Sequence, residues 1–170
     1  MPSRRFLPIA VLLCFSTLTV AVGATRRAST VSDLTSSAAR IFRGICERVE
    51  VGSVTVAGAR LPMTTYTFRV SEGFKGSIGT TLTFRQIGVP GGGPMDLGQR
   101  AGLPVYSAGG DYLLFLLPES RVGLTSPAGA AQGAFEILAD QALALNAMPV
   151  DSQIHSYQSL RRQVLQRTPR

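Results

Sequence analysis

TYTFRV at residues 65–70, followed after a glycine-rich link by TLTFR at residues 81–85, decides the fold. In the first stretch Tyr66, Phe68 and Val70 alternate strictly with Thr65, Thr67 and Arg69. In the second, Leu82 and Phe84 alternate with Thr81, Thr83 and Arg85. A period of two residues is that of a strand with one buried and one wet face. The link over residues 72–79 carries Gly73, Gly76 and Gly79, which suits an antiparallel return. If the two strands pair, Arg69 and Arg85 share one wet face with four threonines and no flanking acid.

Further strands flank this pair. Residues 111–117 are a continuous apolar run closed by Pro118, the pattern of a strand buried on both faces. Over residues 41–51 apolar and charged residues mix imperfectly at strand spacing, which predicts a bent or bulged strand. Residues 122–125 and 134–138 read as two shorter strands around a small-residue stretch at 126–133. Two helices frame the strands. Residues 31–39 form a short one with Ser32 as its cap. Residues 151–166 form an amphipathic one, with Ile154, Tyr157, Leu160, Val164 and Leu165 opposed by Arg161, Arg162 and Arg167. Residues 88–110, rich in glycine and interrupted by Pro90, Pro94 and Pro104, form a long loop, and such loops in compact domains are often functional. The expected fold is mainly β: a small antiparallel barrel or sandwich with a short N-terminal helix and a C-terminal amphipathic helix.

The first 24 residues read as an export signal: Arg4 and Arg5, an apolar run from Phe6 to Val22, and a small-residue exit at Val22-Gly23-Ala24. A retained membrane anchor is the alternative, opposed by Pro8 and by Ser16, Thr17 and Thr19 within the run. Leu13 before Cys14 argues against lipidation. The spacing after Arg4-Arg5 argues for the general secretory route over twin-arginine export, placing the protein in the periplasm or outside the cell. Cleavage is expected to leave one domain at residues 31–167 between a disordered N-terminus at 25–30 and a disordered tail at 168–170. That domain is long enough to bury a core without disulfides. Its one cysteine, Cys46, is expected to be buried. The formal net charge of +7 rests on 17 basic residues, of which only Lys75 is lysine.

This inventory restricts the chemistry. His155 is the only histidine, so a nucleophilic site reduces to a Cys46–His155 pair or to His155 with an acid. There is no G-x-S-x-G or S-x-x-K motif. No metal-ligand spacing occurs, and no cofactor motif points to a bound cofactor. Glu47 and Glu50, three apart in a strand, face opposite sides unless a bulge intervenes. Gly91, Gly92 and Gly93 offer backbone N–H groups to an anion, but no Walker lysine follows them, which leaves a flexible turn as the plainer reading. The Arg69 and Arg85 stripe suits an acidic protein or an anionic glycan. Nucleic acid is disfavoured, because no exposed aromatics stand ready to stack bases.

From Leu34 to Ile137 the chain resembles a family of exported bacterial proteins of unknown function. The motifs that carry this are Ala39-x-Ile41-Phe42-x-Gly44, Tyr66-x-Phe68-x-Val70, Lys75-Gly76-x-x-Gly79, Pro90-Gly91-Gly92, Gly110-Asp111-x-Leu113-Leu114-Phe115-Leu116 and Gln132-Gly133-x-Phe135. More distantly, the order of these strands is similar to netrin-like and tissue-inhibitor-of-metalloproteinase-like domains, which implies an oligonucleotide-binding-type barrel. The cysteine at the mature N-terminus that such inhibitors place on the protease zinc is missing here, as are their disulfides. The expected function is a non-enzymatic binding module that uses residues 88–110 with 126–133. Gly91, Gly92, Gly93, Ser126 and Gln132 are its contacts, and Arg69 and Arg85 are further ones. An inhibitor or partner of a secreted protease is the alternative, and a hydrolase the third reading.

Overall fold

The structure, a computed structural model, describes residues 29–145 and 156–168. The expected export segment, Ile154 and His155 lie outside them, so the Cys46–His155 pair is not placed.

Strands β1 (Arg40–Val56), β2 (Ala59–Lys75) and β3 (Thr81–Ile87) form an antiparallel meander. The β2–β3 pairing keeps the faces that the alternation implies, in the register Thr65 opposite Arg85, Tyr66 opposite Phe84, Phe68 opposite Leu82 and Arg69 opposite Thr81. Strand β1 is bulged, with register shifts at Ile41/Phe42, Arg43/Gly44 and Cys46/Arg48. Its first half also pairs with β4 (Asp111–Leu116), and β5 (Ala134–Leu138) and β6 (Gln141–Ala144) follow, giving the order β3-β2-β1-β4-β5-β6. At Lys75-Gly76 the turn is structural. Gly76 adopts φ +82 with Ala39 O only 2.5 Å from where a Cβ would sit, and Lys75 Nζ donates to Thr35 O at the end of the first helix.

The fold is mainly β, as expected, but the sheet does not close into a barrel: β3 and β6 are its edges. The stretch expected to supply a strand at residues 122–125 makes a turn and isolated bridges instead. Arg85 bridges Leu124 in parallel, and Leu116 bridges Pro127 antiparallel. Thr125 N donates to Arg85 O and Leu117 N to Ser126 O. Pro118 and Pro127 have no N–H to give a ladder, and the Thr125 hydroxyl takes Leu117 O in place of a backbone donor. Residues 118–127 therefore tie β3 to β4 at single points.

Each face of the sheet buries a separate core. On one, Ile41, Leu113, Phe115 and Phe135 pack against α1 (Val31–Ser37) and α3 (Tyr157–Arg167). On the other, Phe42, Cys46, Tyr66, Phe68, Phe84, Tyr112 and Leu114 enclose Tyr106, which arrives from the long loop. Consecutive residues such as Leu113 and Leu114 enter opposite cores, which is why β4 reads as an unbroken apolar run. Tyr106 meets Tyr66 edge-on at 4.8 Å and Tyr112 at 5.2 Å.

Both helices depart from expectation in detail. Thr30, not Ser32, caps α1: its hydroxyl accepts Asp33 N while the Asp33 carboxylate accepts Thr30 N, a reciprocal capping box. Ser29 N donates to Gln132 Oε1, so both residues of the expected loose start that fall in the described region are engaged. In α3 the spacing of Tyr157, Leu160 and Val164 forms the buried stripe, whereas Leu165 is 47% exposed because it lies one residue off that face. A polar cluster fastens α3 to the sheet. Arg43 grips Asp111 with two nitrogens and lies 4.2 Å over the Tyr157 ring, while Tyr157 Oη and Arg161 Nε both donate to Glu72.

Candidate binding cleft

The inward register of β3 runs Leu82, Phe84, Gln86, so the third inward position is polar. Gln86 is only 4% exposed. Its Nε2 donates to Pro104 O at 2.8 Å, which fixes the amide orientation, since a flip would set two oxygens against each other. Its Oε1 then has no hydrogen-bond partner among the described residues. Buried acceptors are nearly always satisfied, so this oxygen marks the place where the local rules are broken.

The long loop is organised around Asp96, the cap of the short helix α2 (Leu97–Arg100). One carboxylate oxygen accepts Gln99 N and the other accepts Val89 N, both at 3.0 Å. Gly88 sits at φ +93, where an added Cβ would lie 2.4 Å from Asp96 Oδ1, and a Cβ on Gly98 would lie 2.6 Å from Ile87 O. These glycines let the loop fold tightly over the end of β3. The loop is thus pinned at three points, by Asp96, by the Gln86 bond to Pro104 O and by buried Tyr106.

Between loop and sheet lies a pocket of about 210 Å³, lined by Tyr66, Gln86, Gly91, Gly92, Asp96 and Val105 among others. Ile87 and Leu103 form a shared wall with a second, strongly apolar pocket of about 400 Å³, completed by Ala101, Leu117, Leu124 and Ser126. The two lie side by side across Ile87 and Leu103 and together form the candidate cleft between the loop and residues 118–126. Its surroundings are unusually apolar for a surface: Met95 is 81% exposed, Val105 is 51% exposed, and Leu97 is exposed as well.

The charges flanking the cleft are one-sided. Of the acids between residues 86 and 126, Asp96 is buried and holds two amides, Asp111 is gripped by Arg43, and Glu119 pairs with Arg40 at 2.6 Å. Arg85, Arg100 and Arg121 are exposed and make no ion pair with a described residue. Arg85 gives one bond, to Val122 O. Arg100 follows Gln99, which lines the first pocket, and precedes Ala101, which lines the second. Burial pushes the Tyr66 phenol upward against hydrogen bonds that lower it, so the ring enters the pocket wall as a neutral group.

Of the residues expected from sequence to make contacts, Gly91 and Gly92 line the first pocket, with Gly93 beside them, and Ser126 lines the second. Arg85 stands at the β3 end near this cleft. Gln132 is buried and serves as acceptor for Ser29 N. Arg69 lies elsewhere, since antiparallel pairing sets it four residues from the level of Arg85, about 13 Å along the strand. The expected acid-free stripe is also corrected: the bulge at Cys46/Arg48 turns Glu47 toward Arg69, and they pair at 2.9 Å. Sequence reasoning missed Gln86, Asp96 and the apolar lip. The available signal was the alternation itself, which places Gln86 on the inward side of β3.

Cys46 lies in the inner core, where burial pushes its thiol upward despite the Arg48 carbonyl beside it. Among the described residues no three His, Cys, Asp or Glu side chains gather as metal ligands, and no helix is long and apolar enough to cross a membrane. Comparison of the sequence with protein-family models and with curated proteins finds no match.

Proposed function

We propose that this chain is an exported, non-enzymatic binding module that engages a partner through the cleft between the 88–105 loop and residues 118–126. The observation that carries this reading is an exposed apolar lip on a loop tied to the sheet by buried contacts. Met95, Leu97 and Val105 are exposed beside two adjacent pockets, on a loop fastened by Asp96, Gln86 and Tyr106. Exposed apolar surface on a soluble monomer is normally small, and a prefixed loop spends little ordering entropy on binding. Flexible, polarisable methionine at such a lip suits contact with another molecule. Export rests on the Met1–Ala24 pattern. Kinship with netrin-like domains rests on the strand motifs and the Lys75-Gly76 turn.

The test is an unbiased one. The full chain is screened against a random peptide display library, in parallel with a variant carrying Met95→Ser and Val105→Ser. Both replaced side chains are exposed, so folding is spared. Enrichment with the natural chain that disappears with the variant is the expected result. No enrichment, or enrichment indifferent to the two substitutions, overturns the cleft as the contact surface.

A further inference from the structure

Resting on the cleft as the contact surface, we infer that its partner is an extended acidic peptide segment bearing a bulky apolar side chain. Three independent features converge on that chemistry. First, the pocket of about 400 Å³ is walled by Ile87, Leu103, Leu117 and Leu124, a size and character that suit a leucine or aromatic side chain. Second, every acid in residues 86–126 is engaged internally, while Arg85, Arg100 and Arg121 are exposed and have no ion-pair partner among the described residues. The surroundings of the cleft therefore complement carboxylates and repel cations. Third, Gln86 lines the first pocket with its Oε1 buried and without a donor among the described residues, and the neighbouring Gly91 and Gly92 are exposed backbone. A peptide main chain supplies alternating N–H and C=O groups to such a wall, and the Gln86 acceptor suits one of its amides. An acyl chain has carboxylate and apolar length but nothing to offer Gln86, and an anionic glycan has nothing for the apolar pocket. The combination selects a peptide.

Fluorescence anisotropy with defined probes tests this. The probes are labelled short peptides in which two leucines are flanked by aspartate and glutamate; the same peptides with the acids replaced by their amides; the same with lysine in place of the acids; and the acidic peptides with serine in place of leucine. Oleate competes as the acyl source. The acidic leucine peptides are expected to bind, with affinity falling as salt is raised. Arg100→Gln together with Arg121→Gln is expected to weaken binding about tenfold while leaving the thermal transition unchanged. Gln86→Met removes the Oε1 acceptor together with the bond to Pro104 O. It is expected to weaken every leucine peptide equally, whatever its charge, while amide exchange at Val89 and Gln99 stays unchanged and shows that the loop keeps its place. Preference for the amide or lysine peptides, or displacement by oleate at a lower concentration than the acidic peptide, overturns the acidic-peptide assignment. The display enrichment and its loss on Met95→Ser and Val105→Ser would still stand in that case. Failure of that enrichment instead removes the cleft itself.

Discussion

Replacing Asp96 with alanine isolates what holds the cleft in shape. The carboxylate accepts Val89 N and Gln99 N at 3.0 Å each from a buried position. Hydrogen bonds to a charged group contribute about 1.5–3 kcal/mol each, so loss of both sets a ceiling of about 3–6 kcal/mol. The two amides do not suffer alike. Gln99 lies in the first turn of α2 and is exposed, so water replaces its partner, and cap replacements of that kind cost about 0.5–2 kcal/mol. Val89 is only half-exposed, and its amide is left partly unpaired. A net cost of about 2–4 kcal/mol follows for the ordered loop.

How much of this reaches global stability depends on the second anchor. Tyr106 keeps the far end of the loop in the core, so part of the loss appears as local opening. The expected readouts are faster amide exchange at Val89 and Gln99 by at least about tenfold and a fall in Tm of about 4–8 °C, equivalent to roughly 2 kcal/mol for a domain of this length. Asp96→Asn, which keeps an oxygen acceptor, is expected to restore about half of both effects. If Asp96→Ala left exchange at both amides and the Tm unchanged, the loop would not be organised by Asp96, and the rigidity on which the cleft reading depends would be gone.

Three other perturbations probe the scaffold. Burial alone would raise the pKa of Glu72, but hydrogen bonds from Arg161 and Tyr157 and the nearby Arg43 charge outweigh it and lower the net value. Its contribution is therefore complete above the ordinary glutamate range and is lost as pH falls through the depressed folded value. A Tm-against-pH curve should steepen in that acid window and flatten there in Glu72→Gln; an unchanged slope would count against the α3 clamp. Gly44→Ala places a methyl 2.6 Å from Arg69 O and 3.2 Å from Val70 Cα, both backbone atoms, and should cost about 1–3 kcal/mol in denaturant unfolding; a neutral result would mean that the bulged β1–β2 contact yields freely. Tyr106→Phe removes a buried hydroxyl that has no partner among the described residues, and should raise stability by up to about 1 kcal/mol, whereas a clear loss would reveal a bond to that oxygen.

The parts of the fold that read clearly from sequence are those governed by one period. Tyr66 to Val70 and Leu82 to Phe84 show which side chains face inward, because a one-residue slip would turn the apolar set to the wet face. Asp111 to Leu116 read as doubly buried because its alternate side chains feed two cores. What stayed hidden was set by long-range pairing. Nothing in residues 118–127 announces that its prolines and Thr125 replace a ladder with single bridges, so closure was over-read. The bulge that carries Glu47 to Arg69 depends on the partner strand, not on β1 alone. At the α1 start, Thr30 and Asp33 stood at capping-box spacing, and choosing Ser32 overlooked a local signal that was present.

Within the candidate site the legible and illegible parts divide along the same line. Glycine at 91, 92 and 93 marked the loop, because local backbone freedom is visible in composition. The wall that the loop faces was a question of side, answered by counting inward from Phe84 to Gln86. A polar residue at that inward position of β3 and the exposed apolar lip of Met95, Leu97 and Val105 on the loop are two departures from the usual burial of apolar and exposure of polar groups. Natural sequences tend to depart from local consistency where function demands it, and here both departures border one cleft. If they were incidental, nothing would set Gln86 Oε1 without a donor within reach of the loop that exposes Met95, and the Gln86→Met variant would bind the leucine peptides as the natural chain does. A uniform loss would tie the buried exception to the exposed one as two sides of a single recognition surface.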